Sequence, residues 1–170
     1  MKKTPQIRFR PAGQEDVNFI FNSWLKSYRN SYATKNITST FYFAEHHKVI
    51  ERILAAAKTV IACNQEDPSQ VYGYVVGDTV DGIFVIHYLY VKHSFRGLGL
   101  GKLLFNAFDH DPTAASLYTH HTHMAHRLAA KYNMLHHPYI LMNYPQYGVS
   151  PENQPQPEII AEEANDDKSN

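Results

Sequence analysis

The sequence predicts a single domain of the α+β (mixed α/β) class, and three observations carry that expectation. Strand-type segments stand before, between and after four helical stripes; the nine residues Ile83–Val91 are apolar apart from His87; and a glycine-rich turn leads from that run straight into a leucine-rich helix. With 170 residues, 44% of them apolar and 13% aromatic, the chain can bury one substantial core.

Ile7–Arg10 alternates apolar with basic and stops at Pro11-Ala12-Gly13, the pattern of a short strand entering a turn. Val17, Ile20, Phe21, Trp24, Leu25 and Tyr28 then fall on one helical stripe. From Arg29 to Phe43 the mixture of Ser31, Thr34, Asn36, Thr38, Ser39 and Thr40 with Tyr32, Phe41, Tyr42 and Phe43 predicts an aromatic-bearing loop. His46, Val49, Ile50, Ile53, Leu54 and Ala57 give a second helix, and the β-branched runs Thr59–Ala62 and Val71–Gly77 give two strands around a polar turn. Ile83–Val91, apolar on both faces, belongs inside a covered sheet, which makes His87 conspicuous. Leu100, Leu103, Leu104, Ala107 and Phe108 predict a third helix, Ser116–Thr119 a strand, Met124–Tyr132 a fourth helix, and Leu135–Met142 a last strand that Pro138 confines to an edge. The domain is expected over 1–149, with residues 150–170 a disordered acidic tail rich in proline and glutamine.

Sixteen basic and sixteen acidic residues give zero formal charge, so no electrostatic argument favours nucleic acid. Six of the acids lie after Ser150, which leaves the body with 15 bases against 10 acids, suited to a small anionic ligand. The single cysteine, Cys63, excludes an internal disulfide framework and fits a reducing, cytoplasmic setting; it reads as a small buried side chain. Neither a signal peptide nor a membrane span is expected.

The run Val91 to Lys102, with Arg96-Gly97-Leu98-Gly99-Leu100-Gly101 at its centre, joins a strand to a helix, a context suited to phosphate because glycines let the backbone approach closely and a first helical turn has unpaired amides. A P-loop fails, since Leu103 follows Lys102 and Arg96 stands where the first glycine is needed. A Rossmann turn fails too, since Lys102 takes its third glycine position and no acid follows about twenty residues on. Arg96, Gly99 and Gly101 do form R-x-x-G-x-G, which resembles the acetyl-CoA pyrophosphate loop of the GNAT family of N-acetyltransferases, and Leu89-x-Val91 precedes it as in that family. The element order of Ile7–Met142 also resembles the GNAT fold, and Phe19–Tyr28 with His87–His93 is most similar to small GNAT proteins encoded by tailed bacteriophages.

The resemblance implies a central, mostly antiparallel, splayed sheet of about six strands with four flanking helices. It implies that Tyr90 and Val91 pair through their main chain with the pantetheine amides, that the amides of Arg96, Gly97, Leu98, Gly99, Leu100, Gly101 and Lys102 hold the pyrophosphate with added charge from Arg96 and Lys102, and that the Leu89 amide is the oxyanion donor. The implied activity is acetyl-CoA-dependent transfer of an acetyl group to a primary amine by direct attack. The acceptor is a small molecule or a protein lysine or N-terminus, with aminoacyl-tRNA left open. The alternative is a non-catalytic GNAT-fold protein that binds acetyl-CoA or a host protein; GNATs are often homodimers, and a phage-encoded member would work in host cytoplasm.

An ammonium acceptor must lose a proton before it attacks, and His87, nine residues before Arg96 as in the serotonin N-acetyltransferase branch, is the candidate general base. By simple alternation it shares a face with Val85, Leu89 and Val91; the other reading is a core histidine bonded to neighbouring backbone. The family tyrosine that protonates the thiolate is absent: Ala129 stands in its place, Thr122 replaces an asparagine and Asn133 a glycine. Tyr132 and Tyr118 are the substitutes, each also readable as packing. His120, His121, His123 and His126 crowd one junction without a carboxylate or second cysteine near in sequence, so they read as solvated or acceptor-lining residues and no metal is expected. Tyr28, Tyr32, Phe41, Tyr42 and Phe43 flank the loop that borders the acceptor in GNATs.

Overall fold

The stripe that begins at Val17 folds as predicted, as the helix α1 (Val17–Arg29), and it buries Ile20, Trp24 and Tyr28. A computed structural model describes residues 6–144; the expected tail, 150–170, lies outside the described residues. The other elements are β1 (Ile7–Pro11), α2 (Ser39–Ala56), β2 (Lys58–Asn64), β3 (Val71–Val80), β4 (Ile83–Val91), α3 (Leu100–Phe105), β5 (Ser116–Tyr118), α4 (His123–Tyr132) and β6 (Met134–His136). The six strands lie in chain order in one mixed sheet; β1 to β4 pair antiparallel, and β4–β5 and β5–β6 pair parallel.

Alternation in the strands builds two apolar layers. Ile61, Cys63, Tyr74, Val76 and Tyr88 face α1 and α2, whereas Val60, Ala62, Val75, Phe84 and Ile86 face α3 and α4. Side chains as large as Trp24, Ile50 and Leu104 are wholly enclosed, each adding about 2–3 kcal/mol through burial. Cys63 is buried as expected. Among the described residues, no helix is long and apolar enough to cross a membrane.

Two boundaries differ from the sequence reading. The aromatic loop ends at Thr38, because Ser39–Phe43 form the first turn of α2, where the buried Tyr42 hydroxyl donates to the Leu25 carbonyl at 2.8 Å. The shortened loop is tied down by Arg29, whose guanidinium donates to the carbonyls of Thr34 and Ile37 at 2.7 and 2.8 Å. The last strand stops at His136, and Pro138 opens a 3-10 turn over Pro138–Asn143, since its ring fixes φ and leaves no N–H for a ladder. β6 is nonetheless the sheet edge, as predicted.

The entry to α1 is pinned by one buried pair. Asp16 takes two bonds from Arg10, at 2.6 and 2.9 Å, and a third from the Gly13 amide at 2.8 Å. Burial alone would raise the Asp16 pKa, but these donors outweigh it and hold the carboxyl below its usual 3.8. Asp16→Ala removes both carboxylate bonds to Arg10 and the bond from the Gly13 amide, leaving Arg10 on the Pro11 and Pro68 carbonyls, and is expected to lower stability by about 2 kcal/mol in urea denaturation. Because the folded pKa is the lower one, this contribution is present above pH 3.8 and fades as pH falls through the folded value, so the variant and the parent should converge in strong acid.

Candidate functional site

The register of β4 changes partway along. Val76 pairs with Tyr88 but Gly77 pairs with Ile86, so His87 is an extra residue, a β-bulge. Phe84 and Ile86 lie on the α3–α4 side, but beyond the bulge that side is taken by Leu89 and Val91, and Tyr88 and Tyr90 turn toward α1. The expected common face of His87 with Leu89 and Val91 is therefore corrected; His87 stays with Val85, near Tyr144.

The main chain changes direction at the same point. The Thr119 amide donates to the Ile86 carbonyl at 3.1 Å, so β4 is held to β5 there, whereas downstream the Lys92 amide donates to the Tyr72 carbonyl at 2.8 Å, toward β3. Since main-chain groups alternate along an antiparallel strand, Tyr88 and Tyr90 also address β3, and Leu89 and Val91 turn to the opposite, open edge. β5 pairs only with Val85 and Ile86, so the two strands splay beyond them, as expected. The Tyr90 main chain is thus committed to β3, correcting its expected pairing with pantetheine, and the groups left on the open edge are the Leu89 main chain and the Val91 amide, the Val91 carbonyl being taken by Arg96.

The splay opens into a groove of about 670 Å³ whose walls carry Arg96, Lys102, Arg127 and Lys131 and, among the described residues, no carboxylate. Gly97 and Gly99 adopt φ of 80° and 78°, a left-handed conformation costly for other residues, and the turn they make delivers the chain into α3. Within this loop the Arg96 amide is used by the His93 carbonyl and the Lys102 amide by the Gly99 carbonyl, which narrows the expected cradle to the amides of residues 97–101. Arg96 also donates from Nε to the Val91 carbonyl at 3.0 Å, and Leu98 projects outward. Across the groove, Thr122 caps α4 by accepting from the Ala125 amide at 3.0 Å, and Asn133 ends the helix in the left-handed conformation, φ 50°, that a glycine would take. The donors and positive charge fit a pyrophosphate, and the open edge of β4 fits an amide-bearing chain.

A second cavity, about 620 Å³, lies between the α1–α2 connection and the end of β5, walled by Tyr28, Phe41, Tyr42, His46, Thr119 and His120 with Glu45, Glu51, Lys48 and Arg52 among its other residues. Three of the five aromatics expected at the acceptor are here. Tyr32 is 79% exposed beneath the Lys35 ammonium, and Phe43 packs edge-on against Tyr42 instead.

His87 is 1% exposed and both ring nitrogens are engaged, Nδ1 with Thr119 Oγ1 at 3.1 Å and Nε2 with the Tyr144 hydroxyl at 2.5 Å. Tyr144 donates onward to Asp78 at 3.0 Å, and Thr119 Oγ1 lies 2.9 Å from His120 Nδ1. Burial holds His87 down at about 4, with Asp78 pulling the other way. His87 borders a void of only about 20 Å³ and neither large cavity, and its hydrogen bond to Thr119 links it to the wall of the 620 Å³ cavity. Tyr118 lines that small void, whereas Tyr132 stacks on Phe105 at 4.7 Å, away from all three spaces. His121 clusters with His126 and His136, and no group able to hold a metal occurs among the described residues.

Sequence reasoning missed His46, Asp78 and Tyr144. His46 looks like one member of an apolar stripe, and nothing local marks the other two.

The sequence profile of the acetyltransferase (GNAT) family matches residues 17–131. A comparison with curated proteins finds no match. Among solved structures, the apo form of YjaB from Escherichia coli is 20% identical with a TM-score of 0.43, over 60% of this chain and 63% of that one, so this chain spans under two thirds of its length. PaiA N-acetyltransferase from Thermoplasma acidophilum, in complex with coenzyme A, is 17% identical with a TM-score of 0.45 over 60% and 69%. The GNAT family N-acetyltransferase YhbS of Escherichia coli, in complex with CoA, is 21% identical with a TM-score of 0.43 over 63% and 56%.

Proposed function

From the premise that this chain belongs to the acetyltransferase (GNAT) family, whose members use acetyl-CoA, we propose that it transfers an acetyl group from acetyl-CoA to a primary amine. The observation that carries the reading is the splay of β4 from β5 beside a glycine loop with free amides and a groove lined by four basic side chains. The amides of residues 97–101, with Arg96 and Lys102, hold the pyrophosphate, and Leu89 and Val91 pair with the pantetheine arm. The Leu89 amide, on the open edge, donates to the carbonyl oxygen as negative charge develops there. Acetyl-CoA supplies the acyl group as a thioester; the 620 Å³ cavity beyond His120 receives the amine. His87 supports proton removal through Thr119, and Tyr118, beside the splay, is the hydroxyl placed to serve the departing thiolate.

Calorimetric titration of the folded protein with acetyl-CoA, using ATP and NAD as controls, tests this. Selective micromolar binding is expected. No binding would instead favour a non-catalytic role, with Ala129 in place of the family tyrosine as its motive. His87→Ala is expected to lower turnover at least about 100-fold while acetyl-CoA affinity stays the same; an unchanged rate would remove His87 from proton transfer.

A further inference from the structure

We propose that His120 is the catalytic residue that takes the proton from the acceptor ammonium, and that Asp78, Tyr144, His87 and Thr119 are positioning residues that fix its tautomer; this rests on the acetyltransferase reading of the site.

Location is the first argument. The acceptor cavity and the small void at the splay have one lining residue in common, His120, and that void in turn shares Tyr88, Leu89, Thr122, Met124 and Leu128 with the cofactor groove. His120 therefore stands at the partition an amine must reach to meet the thioester. The second argument is an unsatisfied atom. His120 is 3% exposed, yet its Nε2 has no hydrogen-bond partner among the described residues, and neither does Nε2 of His46, whose ring lies 5.1 Å away on the wall of the same cavity. Buried polar groups without partners are rare, and a nitrogen-bearing ligand is the kind of group that satisfies them.

The third argument is the direction of the hydrogen-bond chain. A carboxylate only accepts, so Asp78 accepts the hydrogen bond of the Tyr144 hydroxyl, and the Tyr144 oxygen must then accept from His87 Nε2–H. A neutral His87 protonated on Nε2 has a bare Nδ1, which accepts from the Thr119 hydroxyl; Thr119 Oγ1 then accepts from His120 Nδ1–H. The sequence of bonds leaves one unshared pair at its end, on His120 Nε2. Enclosure by Trp24 and Tyr28 from α1, His46 from α2, Tyr88 and His87 from β4, and nearby His136 holds the imidazole neutral, well below 6.5, so the pair is available at pH 7.

The ammonium gives one proton to Nε2 and its freed electron pair forms the new C–N bond as the C–S bond breaks. The second nitrogen proton reaches the thiolate by way of the Tyr118 hydroxyl, which gives up one proton and regains another, and His120 returns its own to solvent. One ammonium and one thioester thus become one amide, one thiol and one proton.

Histidine ring ¹⁵N spectra of the full chain decide the tautomers without any need for activity. We expect His120 protonated on Nδ1 and His87 on Nε2, with Asp78→Ala mixing the His120 tautomers. His120 protonated on Nε2 would overturn the proposal, and an unaltered tautomer in Asp78→Ala would remove the positioning chain from it. Turnover of His120→Phe, which keeps a ring in the wall, is then measured on alkylamines and lysine peptides. It is expected to fall about 100-fold at pH 7, with acetyl-CoA affinity intact and the deficit shrinking as pH approaches the pKa of the amine. A deficit equal at every pH, or none, would overturn the role of His120. Failure of the unaltered protein to acetylate any amine would count against the acetyltransferase reading itself, separately from the tautomer result.

Discussion

Lowering the pH from 7 to 4 is expected to unfold this protein cooperatively, with uptake of about three protons. Burial holds the imidazoles of His46 and His87 at about 4 and that of His120 well below its usual value, against 6.5 for each in an open chain. Above pH 6.5 both states carry them neutral and stability is complete. Below it the unfolded chain binds protons that the fold refuses, so stability declines as pH falls from 6.5 toward 4. Each such group changes stability by about 1.4 kcal/mol per pH unit, and three acting together by up to about 4. Two units of that slope remove up to about 8 kcal/mol, which exceeds the whole stability of a domain at the lower end of the usual range of about 5–15 kcal/mol. The single tryptophan, Trp24, lies fully buried against the His120 ring at 5.1 Å and reports the transition by its fluorescence in urea titrations at successive pH values. Equal stability at pH 7 and pH 5 would show that these rings are open to water in solution.

Gly73→Ala should be the most damaging single methyl that can be added to the sheet. A Cβ there would lie 2.4 Å from the Tyr90 carbonyl oxygen and 3.2 Å from Val91 Cα, both backbone atoms that no rotamer change can move aside. β3 and β4 must separate locally, at a cost of about 3 kcal/mol, which for a domain of this size lowers the melting temperature by roughly 10 °C. The displaced residues border the cofactor groove, so acetyl-CoA affinity should drop as well. A melting temperature within about 2 °C of the parent would mean that the strands adjust at little cost.

What could be foreseen from the sequence is what depends on neighbours in the chain. The stripe of α1, the buried β4 and the glycine loop are each specified within a dozen residues, and the loop was legible because phosphate chemistry needs those residue types in one place. The start of α2 was not, since Ser39 and Thr40 look like loop residues until Tyr42 docks on the Leu25 carbonyl. The faces of β4 beyond His87 were misread because a bulge arises from the register with β3, which alternation along one strand does not contain. His46 and His120 are 74 positions apart in sequence, and only the docking of α2 over the end of β5 makes them neighbours.

The bulge in β4 has a wider consequence. By interrupting the parity of one strand, it divides that strand in two: the first half spends its outward groups on β5, and the second turns Leu89 and Val91 to an edge that no strand covers. The allocation is set by a count of residues and not by any side chain. Substitution along β4 can therefore reshape the walls of the 670 Å³ groove and of the small void beside it while leaving the main-chain groups along its open edge in place. Architecture and specificity are in this way carried by separate features of a single nine-residue strand.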